Sequence, residues 1–310
     1  IDLRSFRYSC QWYCSFSTSE GISIRGQASA SSQGQCSPVV DNFSIAMSYL
    51  SGVPLKTLPY DGTVMLISRK IESAIAKRAL KMPVIALLGP RQSGKTTLAR
   101  ELFKSHSYVS LENFDYREFA RTDPRNFLQT HINEHGIILD EVQNVPQLLS
   151  YIQTYVDEKH RPGHIILTGS QNILVNQAVS QSLAGRVSIF TLLPLSIAEL
   201  RAASLVPSTI EEQVYKGGYP RIYAYDLEPT NWYLDYIETY VERDVREIAN
   251  VTDLIVFRRF MRLCAGRVGQ LLSISSLATD CGIDQRTVKA WLSVLEASYI
   301  IFRLEPHYKN

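Results

Sequence analysis

The chain has 310 residues, 45% of them hydrophobic and 20% charged, with 32 Lys and Arg against 30 Asp and Glu. This is a globular composition, long enough for two or three domains, and its net charge of +2 neither demands nor excludes a nucleic-acid partner. No run of 18 apolar residues predicts a membrane span, and the five cysteines (Cys10, Cys14, Cys36, Cys264, Cys281), an odd count, have no C-x-x-C or metal-ligand spacing, which fits a reducing compartment.

Residues 1–64 are rich in Ser, Gly and Gln, as in Ser29-Ala30-Ser31-Ser32-Gln33-Gly34-Gln35. They lack sustained periodicity and a signal-peptide pattern, so no folded core is expected. The chain opens on Ile1, whereas Met65 stands directly before a helical pattern. Met65 is therefore read as the true start, and 1–64 as upstream read-through or a flexible extension.

Two further regions follow, 65–200 and 201–310. Residues 68–81 fit an amphipathic helix with Ile71, Ile75 and Leu80 on one side and Arg69, Lys70, Lys77 and Arg78 elsewhere. Short apolar strands are predicted at 84–88, 108–111, 137–139, 164–168 and 187–191, with helical segments at 98–103, 114–135 and 147–159 between them. This alternation predicts an α/β fold, a parallel sheet covered on both faces. After about residue 195 the pattern is helical. The stretch 231–249 carries Tyr233, Tyr236, Ile237, Tyr240, Val241, Val245 and Ile248 at helical spacing, a stripe that reads as core.

Between the first strand and the next helix stands Gly89-Pro90-Arg91-Gln92-Ser93-Gly94-Lys95-Thr96-Thr97, which fits G-x-x-x-x-G-K-[ST]. Backbone N–H groups of such a loop, with a helix N-terminus behind them, bind phosphate. Lys95 is predicted to reach the β- and γ-phosphates of ATP, and Thr96 to ligate Mg²⁺. Ile137-Ile138-Leu139 ends in Asp140-Glu141. Asp140 is predicted to hold Mg²⁺ through water, and Glu141 to orient the attacking water, a role that points to hydrolysis rather than storage of nucleotide. At the end of the fourth strand Ser170, then Gln171, are candidates to sense the γ-phosphate. Arg186, in Leu183-Ala184-Gly185-Arg186, is either an arginine finger, in its own chain or on a neighbouring subunit, or a plain surface residue.

His131-Ile132-Asn133-Glu134-His135 spells H-x-x-E-H, with both histidines expected on one helix. The segment lies between the two halves of the nucleotide site and ends at once in Gly136, so a helix terminus is preferred to a zinc site.

Near the C-terminus, Ser275 or Ser276 is predicted to cap one helix, Gly282 to turn the chain, and Asp284 to cap a second helix. This is a helix-turn-helix, and Tyr299–Leu304 is expected to add the strand of a winged helix. Gln285, Arg286 and Lys289 are expected to be exposed on the second helix as DNA contacts; the alternative is a lid or a protein-binding surface. Residues 251–310 carry eight Lys and Arg against five Asp and Glu, a mild excess for a DNA binder.

The ordered series Gly89–Thr97, Leu139-Asp140-Glu141-Val142-Gln143, Leu167-Thr168-Gly169-Ser170, Leu183–Arg186, Gly217-Gly218-Tyr219-Pro220 and the winged helix over 275–301 resembles a widespread group of prokaryotic AAA-type ATPases with a C-terminal region of unknown function. The resemblance spans roughly 65–310. It implies a RecA/AAA-like P-loop core, ATP with Mg²⁺, a cytoplasmic setting and a chain cut short before a further α/β portion. The function expected is Mg²⁺-dependent ATP hydrolysis coupled to the winged-helix region, in a protein that can form a homo-oligomer. The alternative is a nucleotide-gated DNA-binding or regulatory module with little turnover.

Overall fold

A computed structural model describes residues 11–15, 23–27, 66–170, 182–241 and 253–304, and the chain divides into two compact units, Ile1–Asp61 and Gly62–Asn310. In the first unit, β1 (Gln11–Ser15) and β2 (Ser23–Gln27) pair antiparallel with Gln11 opposite Gln27.

The second unit opens with α1 (Glu72–Ala79), β3 (Val84–Leu88), α2 (Lys95–Leu102) and β4 (Ser107–Ser110). It continues through α3 (Phe114–Thr122), α4 (Pro124–His131), β5 (Ile137–Asp140), α5 (Leu148–Lys159), β6 (Ile165–Gly169) and β7 (Val187–Thr191). The five strands β3–β7 form one parallel sheet in the order β4-β5-β6-β3-β7. Alternate residues serve opposite faces. Val84, Ala86 and Leu88 pack with Leu139, Leu167 and Ile152 on one side, while Ile85 and Leu87 pack with Ile75, Leu98 and Ala99 on the other. Burial on both faces is why these strands read as unbroken apolar runs.

Two details of the first helix differ from the sequence reading. Regular helix covers only Glu72–Ala79, so Arg69 and Leu80 lie outside it and its periodicity does not place them. Leu80 is 78% exposed, whereas Arg69 is buried.

The rest of the unit is helical: α6 (Ile197–Ala202), α7 (Ile210–Lys216), α8 (Pro220–Ala224) and α9 (Pro229–Tyr236), which winds on into a π-helical turn at Ile237–Val241. Then come α10 (Leu254–Ala265), α11 (Ile274–Cys281) and α12 (Gln285–Ala297). Trp232 and Tyr236 pack with Phe257, Phe260, Leu277 and Trp291 in a separate core, against which Tyr233 and Ile237 of the tyrosine stripe are partly buried. Val245 and Ile248 lie outside the described residues.

Helices α11 and α12 form the expected helix-turn-helix, with Gly282 left-handed at φ +72° between them. The first cap is Ser273, whose side chain accepts from the Ser276 N–H, and not Ser275 or Ser276. Asp284 caps α12. The wing strand does not form among residues 299–304. Tyr299 turns left-handed, and the N–H groups of Ile300 and Ile301 bond to the Leu295 carbonyl, so this backbone closes the end of α12 instead of extending.

Candidate nucleotide site

The loop between β3 and α2 sits at the carboxyl end of the sheet, where ligands of open parallel sheets bind. Two glycines let it form. Gly89 has φ +148°, and a Cβ there would lie 2.3 Å from the Leu192 carbonyl oxygen. Gly94 has φ +95°, a conformation that L side chains rarely adopt, and stands at the N-cap of α2. No side chain caps α2, which leaves its first N–H groups to an anion.

Lys95 is buried, and its Nζ donates to the Pro90 carbonyl at 2.7 Å. Burial lowers its pKa to about 8, against the upward pull of the Glu141 carboxylate. The Ser93 hydroxyl is fully buried and has no hydrogen-bond partner within the described structure.

Across the cleft, β5 ends in Asp140, which is also buried. Its Oδ1 accepts from the Thr96 hydroxyl at 2.7 Å and from the Thr168 hydroxyl, and its Oδ2 accepts from the Tyr108 phenol at 2.9 Å. Burial and the Asp140 carboxylate push the Tyr108 pKa to about 12, so it remains a donor. Glu141 is left-handed at φ 56°, ψ 50°, an uncommon state for a residue with a side chain. Its N–H donates to Thr168 Oγ1 at 3.3 Å, its Oε1 accepts from the Ser170 hydroxyl at 2.6 Å, and its Oε2 accepts from Gln143. The carboxylate is thereby fixed on the wall of a 570 Å³ cleft that Gln92, Gly94, Lys95 and Thr96 also line.

The sequence reading thus has Lys95, Thr96, Asp140, Glu141 and Ser170 in one place. Pro90 and Ser93 contribute carbonyls to the loop's support, and Thr97 lines the cleft. Gln171 lies outside the described residues.

Arg186 is elsewhere, and its proposed role as an arginine finger within its own chain does not fit. Its carbonyl accepts from the Val84 N–H at the start of β3, the end of the sheet opposite the loop. At about 3.3 Å per residue that is some 13 Å from the loop. Its guanidinium pairs with Asp157 through two bonds of 2.5 and 2.8 Å, which hold that carboxyl below its usual range.

The two histidines of the H-x-x-E-H segment do not share a helix. Helix α4 ends at His131, so His135 is not four residues further along it. His131 packs on Phe127 and Tyr116, and among the described residues no three His, Cys, Asp or Glu side chains could hold a metal.

Sequence reasoning missed four contributors. Thr168 and Tyr108 were read only as strand residues, yet their hydroxyls both donate to the Asp140 carboxylate on the neighbouring strand β5. Arg69 was placed only away from the apolar side of the first helix. It is buried, donates to the Ser93 carbonyl at 2.9 Å and to Leu193 O at 2.5 Å, and pairs with Glu199 at 3.2 Å. Arg221, next to the quoted Gly217–Pro220 series, lines the cleft with Tyr225, Pro220 and Leu66.

The donor set fits Mg²⁺ and a nucleotide. Thr96 and Asp140 offer hard oxygens, few enough to leave coordination positions for water and phosphate. Lys95, the uncapped helix and the unpartnered Ser93 hydroxyl suit a polyphosphate. The apolar lining from Leu66, Ile67, Leu195 and Pro220 suits a base.

Fold and site together are P-loop ATPase-like. Residues 81–201 match the family described as "AAA domain", and residues 208–310 match "Domain of unknown function (DUF8612)". It is 30% identical over 251 residues to the Mycobacterium tuberculosis protein Rv2008c, an alignment covering 79% of this chain and 55% of that protein. A Haemophilus influenzae protein is 22% identical over 249 residues, covering 71% and 61%. The chain thus spans little more than half the length of these curated relatives. Among solved structures, the Walker-type ATPase PABY2304 of Pyrococcus abyssi resembles it in fold, with TM-score 0.51, 17% identity, and coverage of 75% of this chain and 90% of that one. Among the described residues no helix is long and apolar enough to cross a membrane.

Proposed function

We propose that the second unit binds ATP with Mg²⁺ and hydrolyses it, and that the helical region carrying α11 and α12 responds to the nucleotide. The observation that carries this reading is the convergence of Thr96 and Asp140 at 2.7 Å beside the buried Lys95 and the fixed Glu141. Backbone N–H groups of Gly89–Thr97 and the Lys95 ammonium bind the phosphates. Thr96 and Asp140 hold Mg²⁺, which supplies charge neutralisation on the phosphate oxygens. Glu141, steadied by Ser170 and Gln143, orients water toward the γ-phosphate and accepts its proton. Arg69 keeps the loop from sagging by holding the Ser93 carbonyl.

Steady-state phosphate release by the full chain, compared with Lys95→Ala, tests this. Mg²⁺-dependent turnover that the variant loses supports it. Equal turnover in both removes the loop from the reaction.

A second reading, a nucleotide-gated DNA-binding module with little turnover, draws support from one feature. Gln285, Arg286 and Lys289 are all exposed on the first turns of α12, while Val288, Trp291 and Leu292 face the core. That is the end of a helix-turn-helix that reads a major groove. Duplex binding with a salt slope that Arg286→Ala and Lys289→Ala each reduce by about 1 would favour it. Binding that neither variant alters would exclude groove contact by α12.

A further inference from the structure

We infer that Tyr108 is a positioning residue for the metal-side carboxylate, acting through Asp140 and not on the nucleotide itself. The inference rests on the reading that this site holds Mg²⁺.

The two oxygens of Asp140 have different surroundings. Oδ1 faces the Thr96 and Thr168 hydroxyls, so it is the oxygen on the loop side. Oδ2 accepts the Tyr108 phenol at 2.9 Å. A carboxylate tied at both oxygens cannot rotate about its terminal bond, and one tied only at Oδ1 can. Tyr108 comes from β4, an edge strand of the sheet, and is paired in register with Ile138, two residues before Asp140. This offset lets the long phenol reach along β5 to the carboxylate at its end.

Tyr108 is 38% exposed and lines a second cleft across α2, where Thr97, Arg100 and Lys104 also stand. The ring is itself held, with the Arg100 guanidinium 4.9 Å from its centroid. A phenol whose ring is held by Arg100 and whose hydroxyl meets the Asp140 oxygen that Thr96 and Thr168 do not contact is placed to orient a metal ligand. Outer-shell partners of this kind change metal affinity by roughly 10–100-fold when removed.

The test is Tyr108→Phe in the full chain, which removes one hydroxyl and keeps the ring against Arg100. Binding of a fluorescent ATP analogue is measured first in EDTA and then as Mg²⁺ is titrated. The expected result is unchanged affinity in EDTA, which certifies fold and loop, with the Mg²⁺ concentration for half-maximal enhancement raised by about tenfold or more. Half-saturation equal to wild type overturns the assignment. So does a variant weakened equally in EDTA, because a merely structural role does that. Wild type that gains nothing from Mg²⁺ sinks the functional reading, and the Tyr108 role with it; a responsive wild type beside an identically responsive variant sinks only the role of Tyr108.

Discussion

Thr96 and Asp140 stand 44 residues apart in the chain and share a 2.7 Å hydrogen bond. One begins the helix after the phosphate loop and the other ends a strand two places away in the sheet, with β6 between them. Their meeting is produced by sheet order, and it turns two weak local patterns into one oxygen-rich site.

Asp140→Asn should keep this packing but present an amide to three hydroxyl donors. Mg²⁺-stimulated nucleotide binding should fall by roughly 10–100-fold while binding in EDTA changes little. Isothermal titration with and without Mg²⁺ checks this. An unchanged metal response would place the cation elsewhere.

Gly89→Ala should destabilise the protein by about 2 kcal/mol or more, because its Cβ would strike backbone and not a movable side chain. Leu192, which it would strike, also donates its N–H to the Leu88 carbonyl at 2.7 Å, so the clash opens the end of the β3–β7 pair. Thermal unfolding measures the loss. Gly94→Ala faces only side-chain atoms at 3.7 and 4.0 Å, so its cost is conformational.

Acid should weaken the tie between Arg69 and the segment after β7. Burial by itself would raise the Glu199 pKa, but N–H donors of Ser196 and Lys70 and the Arg69 guanidinium outweigh it and hold the carboxyl below its ordinary value of 4.5. A depressed folded pKa contributes stability that is present above the unfolded pKa and lost as pH falls through the folded one. Melting temperature should therefore drop as pH falls below about 4.5, and drop less steeply in Glu199→Gln. Parallel slopes for the two proteins would contradict the account.

The sheet was legible because parallel strands buried on both faces must be apolar throughout, as Val84–Leu88 is. The loop was legible because its glycines and Lys95 have fixed spacing. Arg69 was not, since nothing local says that a basic residue just before a helix will be buried by carbonyls 24 and 124 residues away. The wing strand was misread from β-branched and aromatic composition at Tyr299–Phe302, where the end of α12 claims the backbone instead. The position of Arg186 was open to inference. A residue just before a parallel strand stands at the end of the sheet opposite a loop that follows one.

Arg186→Ala should leave turnover unchanged in dilute solution, because the side chain is committed to Asp157 away from the cleft. Phosphate release across a range of protein concentrations checks this. A loss that appears only at high concentration would mean that Arg186 acts on a neighbouring copy.

The central claim, hydrolysis ordered by a fixed glutamate, is tested most directly with Glu141→Gln. ATP affinity and single-turnover hydrolysis are measured on the same preparation. The account predicts affinity within a few-fold of wild type and a rate lower by about 10²–10⁴-fold, since the amide keeps a Ser170 contact but cannot take a proton. Wild-type hydrolysis in this variant would contradict it.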